Sequence, residues 1–197
     1  AIRSGGLRAL PPRAFLTRCS RASFTSALCS VLPFHSSLPA TGMQANITAM
    51  LERGVNSTDE EPCHTPYCGS YDDQAWWSLA WLKAYELTKE PLYLRQAHAI
   101  YEYLLRNSWD ASACGGGCWW SSSKTYKNSI TNALWLALTG ALHATSLEPA
   151  AAKQLADLSG GRPFESLSKA RESWAWIEQS GLRRGAEELF LDGLSSA

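Results

Sequence analysis

The spacing of apolar residues constrains the fold of this chain more than any other feature. Residues 72–88 carry Ala75, Trp76, Trp77, Leu79, Ala80, Trp81, Leu82, Ala84, Tyr85 and Leu87. They cover nearly the whole circumference of a helix, which predicts a helix buried on most sides. "TKEP" ends that pattern, and Pro91 suits the first turn of a new helix. In this second helix Tyr93, Ala97, Ile100, Tyr101, Leu104 and Leu105 form one apolar stripe, with Arg95, His98, Glu102 and Arg106 on the other side. The alternation then repeats. Residues 128–143 are again apolar almost all round, and an Ala-rich connection over 144–162 follows. Pro163 opens a stretch with Phe164, Leu167, Ala170, Trp174 and Ile177 on one face and Glu165, Ser168, Glu172 and Gln179 on the other. Inner, outer, inner, outer predicts an all-α fold of helical hairpins arranged around a common centre. Little reads as strand. Such hairpins close into an α/α toroid when about six assemble, so the two to three expected here make an incomplete ring.

The 197 residues suffice for one domain with a sizeable core. Basic and acidic residues balance at 18 each, and no long basic run occurs. That argues against nucleic acid or an anionic membrane surface as partner. No apolar run reaches the roughly 18 residues of a membrane span. Residues 1–42 stand apart: they hold Arg3, Arg8, Arg13, Arg18 and Arg21, many serines, and no Asp or Glu. This bias resembles a transit peptide or translated non-coding sequence. The folded domain is therefore expected over 43–197. Six cysteines include the short-spaced pairs Cys63/Cys68 and Cys114/Cys118. Both pairs permit disulfides in an oxidising compartment, and neither has the C-x-x-C spacing of a zinc site. No metal or cofactor is called for. Asn46-Ile-Thr48 and Asn56-Ser-Thr58 are N-glycosylation acceptors if the chain is secreted.

Chemistry concentrates in "GSYDDQAWWSLAW", residues 69–81. One Asp at a helix start is ordinary, because its oxygen caps free N–H groups and its charge suits the helix dipole. Two adjacent ones, Asp72 and Asp73, repel. The buried helix behind them points this pair at a central cavity. "CGGGCWW", residues 114–120, adds a loop of Gly115, Gly116 and Gly117 leading into Trp119 and Trp120. Three glycines permit turns closed to other residues. "KTYKNSITN" then offers Lys124, Tyr126, Lys127, Asn128 and Asn132, which suit sugar hydroxyls, although Asn128 could equally cap its helix. With nine Trp and seven Tyr, Trp76 and Trp77 among them, the chain is rich in flat faces that suit carbohydrate rings as well as cores. Two carboxyls about 5–5.5 Å apart fit a retaining glycosidase. The helix start would keep one ionised, while repulsion and burial would hold the other protonated.

In this order, "YDDQAWWSLAWLKAYELTKEPLYL", "CGGGCWW" and "YKNSITNALWLAL" resemble glycoside hydrolase family 76, the family of endo-α-1,6-mannanases and their fungal cell-wall relatives. The likeness covers about residues 67–145, with a weaker echo in "SWAWIEQSGL" and "LFLDGL". It implies an (α/α)6 toroid, here partial, that cleaves α-1,6-linked mannan with retention and without a metal cofactor. It further implies secretion or attachment at the cell wall. By the same resemblance Asp72 is the nucleophile and Asp73 the general acid/base. Gly115, Gly116, Gly117, Trp119, Trp120, Lys127 and Asn128 would line the sugar cleft, with Trp76, Trp77 and Asn132 added from the residues themselves. Two other readings stand beside it: a mannan-binding remnant without turnover, and a helical-repeat protein whose inner helices dock on a partner.

Overall fold

The computed structural model describes residues 49–51, 53, 70–184 and 189–195. Segment 1–42, Asn46, Asn56, His64 and the cysteines at 19, 29, 63 and 68 lie outside the described residues. From Tyr71 onward five helices follow one another: α1 (Tyr71–Thr88), α2 (Pro91–Asn107), α3 (Ser129–Thr145), α4 (Pro149–Leu158) and α5 (Leu167–Gln179). Short strands are β1 (Tyr126–Asn128), β2 (Arg183–Arg184), β3 (Leu189–Phe190) and β4 (Gly193–Ser195).

The all-round apolar pattern of 72–88 becomes α1, which buries Ala75, Ser78, Trp81, Leu82 and Tyr85 among others. It stops where Lys89 turns left-handed at φ 57° and returns its N–H to the Tyr85 carbonyl. Two residues later Pro91 opens α2, whose missing N–H costs nothing at a helix start. The Ser78 hydroxyl donates to the Ala97 carbonyl at 2.9 Å, and Trp81 stacks on Tyr93 with parallel rings 5.7 Å apart. Tyr101 of α2 stacks in turn on Trp135 of α3 at 5.3 Å. Leu138 and Leu142 of α3 are fully buried, each contributing about 1.5–3 kcal/mol relative to exposure.

Helix α1 packs against α2 and α3, α3 packs against α5, and α2 packs against α4. The inner row is therefore α1, α3, α5, and the outer row is α2, α4. Among the described residues from Tyr71 onward this makes two hairpins, α1–α2 and α3–α4, followed by a further inner helix.

Three sequence expectations need correction. The supposed connection 144–162 contains α4, opened by Pro149, with Ala151 and Leu155 buried one turn apart. Because α4 takes the outer place, the next helix belongs to the inner row beside α3, not outside it. That helix starts at Leu167 and buries Ala170, Ser173, Trp176 and Ile177, leaving Trp174 42% exposed. His98, expected on the solvent side of α2, is only 5% exposed. It lies 5.4 Å from the Phe164 ring and 3.2 Å from the Ser159 hydroxyl, and burial lowers its pKa.

The strands form two antiparallel pairs, β1 with β4 and β2 with β3. The first sets Asn128 opposite Gly193. It brings the last described segment onto the head of α3, where Ser129 donates its N–H to the Asp192 carbonyl at 2.7 Å and its hydroxyl to the Leu191 carbonyl at 2.5 Å. Among the described residues no helix is long and apolar enough to cross a membrane.

Candidate active site

Asp72 and Asp73 are the second and third residues of α1. The helix start is strapped to the segment after the glycine loop: Tyr71 donates its N–H to the Trp120 carbonyl at 2.7 Å, and Ser70 pairs with Ser121 in an antiparallel bridge. Asp73 is exposed, and its Oδ2 accepts the Ser70 hydroxyl at 2.7 Å. Asp72 is half-buried, with Oδ1 closed off from solvent and without a hydrogen-bond partner. One turn on, Trp76 and Trp77 share the faces of Asp72 and Asp73 respectively, as residues four apart do. Trp76 is half-buried; Trp77 is 38% exposed and stacks on Trp81 at 6.0 Å. Trp120 is 42% exposed and meets Tyr126 edge-on at 6.5 Å. Two carboxylates thus stand at a helix start that is bonded to the backbone of an exposed Trp.

The loop behind them is built from left-handed backbone. Cys114, Gly115, Gly116 and Gly117 all have positive φ, at 53°, 68°, 132° and 88°. The indole of Trp176, from α5, lies against Gly116 and Gly117. A Cβ there would sit 2.9 and 2.5 Å from its ring atoms, so only glycine leaves room. Trp176 Nε1 donates to the Cys114 carbonyl at 2.9 Å.

Four residues expected in the sugar cleft are placed behind this loop. Lys127 is buried, and its ammonium donates to the carbonyls of Asp110, Ala113 and Gly116 at 2.8, 2.7 and 2.6 Å. That uses all three of its protons. The same group lies 4.5 Å from the centre of the Trp119 ring, and burial lowers its pKa. Trp119 is buried and donates Nε1 to Asp110 Oδ2 at 2.9 Å. Asn128 caps α3, accepting the Thr131 N–H at 3.1 Å. Asn132 grips Cys118 like a strand partner, accepting its N–H at 2.7 Å and donating to its carbonyl at 3.1 Å. Cys114 and Cys118 are free thiols, not a disulfide: Cys114 is exposed, while Cys118 packs into the core across the left-handed glycines. Burial pushes the Cys118 thiol up to about 12.

Asp110 anchors the other end of the loop. The hydroxyl and N–H of Ser112 and the Trp119 indole donate to its carboxylate, and with the nearby Lys127 charge they lower its pKa to about 2. A pKa below the ordinary 3.8 means the folded state holds its proton less tightly than the unfolded chain. The stabilisation is therefore present above about pH 4 and lost as pH falls toward 2. Asp110→Asn is expected to lower stability at neutral pH and to flatten the decline between those pH values, as read by denaturant melts across the acid range.

Sequence reasoning passed over Ser70, Asp110 and Trp176. It also missed Asp192, whose carboxylate accepts the Tyr126 hydroxyl. The signal for Ser70 was present, since it stands three residues before Asp73 at a helix start. Asp192 and Trp176 lie in the two segments read only as weak echoes.

Comparison with known proteins agrees with this layout. The profile of glycosyl hydrolase family 76 matches residues 40–197. Mannan endo-1,6-alpha-mannosidase DCW1 of Saccharomyces cerevisiae is 33% identical over 97 residues, covering 44% of this chain and 21% of that protein. The protein of the same name from Candida glabrata is 27% identical over 161 residues, covering 76% and 32%. The chain thus spans about a fifth to a third of the length of these curated relatives. A crystal structure of a family 76 glycoside hydrolase from a bovine Bacteroides thetaiotaomicron strain superposes with a TM-score of 0.52 at 27% identity, over 65% of this chain and 24% of that one. The Lin0763 protein of Listeria innocua, at 23% identity and a TM-score of 0.58 over 77% and 38%, shares the fold. With the profile matching well over half of the sequence and these helices superposing, the chain is part of an α/α toroid and belongs to glycosyl hydrolase family 76.

Proposed function

We propose that this chain carries the catalytic pair of a glycoside hydrolase that cleaves α-1,6 linkages in mannan with retention of configuration. The observation that supports this most is the placing of Asp72 and Asp73 at the start of an inner helix, bonded through Tyr71 to the backbone of exposed Trp120. The names of the curated relatives supply the substrate class. Asp72 attacks the anomeric carbon from the face opposite the leaving sugar. Asp73 gives its proton to the glycosidic oxygen as that bond breaks. The glycosyl ester on Asp72 is then opened by a water that Asp73 deprotonates. Trp77 and Trp120 offer flat faces to sugar rings, while Lys127, Asn128, Asn132 and Trp119 hold the loop from behind. An extracellular polysaccharide places the working protein outside the cell or in its wall.

The test is to incubate the chain with linear α-1,6-mannan, measure reducing ends, and read the first-formed anomer by proton NMR. Reducing ends with the α-anomer appearing first are expected. A β-anomer appearing first would overturn retention. Retention of the protein on mannan with no reducing ends would make it a binding module.

A further inference from the structure

We propose that Ser70 is a positioning residue that aims Asp73 at the leaving group; this rests on Asp72 and Asp73 being the catalytic pair. Ser70 stands at the position just before α1, where a serine ordinarily accepts a hydrogen bond from the second or third helical N–H. Here it makes no such cap. Its hydroxyl instead donates to Asp73 Oδ2 at 2.7 Å, a charge-assisted bond when Asp73 is ionised. The hydroxyl has one proton to give, and the carboxylate receives it.

Two backbone links fix where that hydroxyl stands. Ser70 is bridged to Ser121, and the next N–H is bonded to the Trp120 carbonyl at 2.7 Å. The segment carrying an exposed indole therefore sets the orientation of the carboxylate, and Asp73 is not left to turn freely on the helix.

The chemical consequence concerns one proton. With Oδ2 receiving the Ser70 hydroxyl, the acid proton resides on Oδ1. It passes from Oδ1 to the glycosidic oxygen as the carbon–oxygen bond breaks, leaving Asp73 ionised and still held by Ser70. In the second half Oδ1 takes a proton from the water that opens the Asp72 ester, which restores the starting state. The Ser70 proton itself is never transferred.

The test compares the full chain with its Ser70→Ala and Ser70→Thr variants on two substrates. One is α-1,6-mannan, whose leaving sugar needs a proton; the other is a dinitrophenyl α-mannobioside, whose leaving group does not. Ser70→Ala is expected to lower kcat/KM on mannan about tenfold or more and to leave kcat/KM on the aryl glycoside unchanged, and Ser70→Thr to restore the mannan rate. Equal losses on both substrates, or no loss on mannan, would overturn the proposal. Crystal structures of the three proteins give a second reading that needs no turnover. The Asp73 carboxylate should turn away in Ser70→Ala and keep its place in Ser70→Thr; an unmoved carboxylate in Ser70→Ala sinks the proposal. A parent chain that cleaves nothing counts against the catalytic pair, and the carboxylate position still decides the role of Ser70.

Discussion

If the proposed pair is catalytic, Asp72→Asn is expected to lower the release of reducing ends from α-1,6-mannan by on the order of 10⁴-fold or more, the scale on which loss of one member of a catalytic unit acts. The fold should be indifferent to the change. Asparagine has the same shape, and Asp72 Oδ1 has no hydrogen-bond partner to lose. A residue serving only the helix dipole would behave in the opposite way. Its loss would cost roughly 0.3–1 kcal/mol of stability and leave turnover intact. Assaying activity and melting temperature on the same preparation separates the two roles, and a destabilised but fully active variant would return Asp72 to an ordinary helix start.

Lys127→Met produces the largest structural effect. Methionine preserves much of the length and the apolar stem but leaves the carbonyls of Asp110, Ala113 and Gly116 without their donor. The Gly116 carbonyl is buried and the other two are partly so; at about 1–3 kcal/mol for a buried group left unpaired, a loss on the order of 4 kcal/mol is expected. For a chain of this size that corresponds to a fall in Tm of about 10 °C. A lysine reaching into the cleft to hold a sugar hydroxyl predicts something else: weaker oligosaccharide binding with Tm unchanged. Differential scanning calorimetry without any ligand decides between them.

The hairpin pattern was legible because α1 and α3 are apolar around most of their circumference, and few other arrangements bury such helices. What went unread follows from one omission. Alanine is the strongest helix former but a weak apolar marker, so 149–158 looked like a connection although Pro149, Ala151 and Leu155 spell a short helix. In a fold that alternates inner and outer helices, overlooking one reverses the assignment of the next. The misplacing of α5 and the burial of His98, which lies near Ser159 and Phe164 just past α4, share that cause. The candidate site stands out in the sequence where its motifs are local, at Asp72, Asp73, Trp77 and Trp120, whose roles are those proposed above. It was not legible at Lys127 and Asn132, because a polar residue in a motif reads the same whether it faces a ligand or a ring of backbone carbonyls. Only the course of the loop, set by four successive left-handed residues, shows which of these it meets.

The grip of Trp176 on the glycine loop also fixes an order of events. Its indole reaches Cys114 across 62 residues, and Tyr126 reaches Asp192 across 66. Contacts of such separation form late, after neighbouring helices have paired, because the entropy of closing the intervening chain comes before any gain from the contact. The α1–α2 hairpin is joined by a two-residue turn, so these two helices can pair early, before the later contacts at the head of α1 have formed. During synthesis Lys127 and Asn132 can hold the loop from within its own neighbourhood, whereas the Trp176 indole reaches it only after α5 has emerged and docked. Until then Gly116 and Gly117 lack the indole that later covers them.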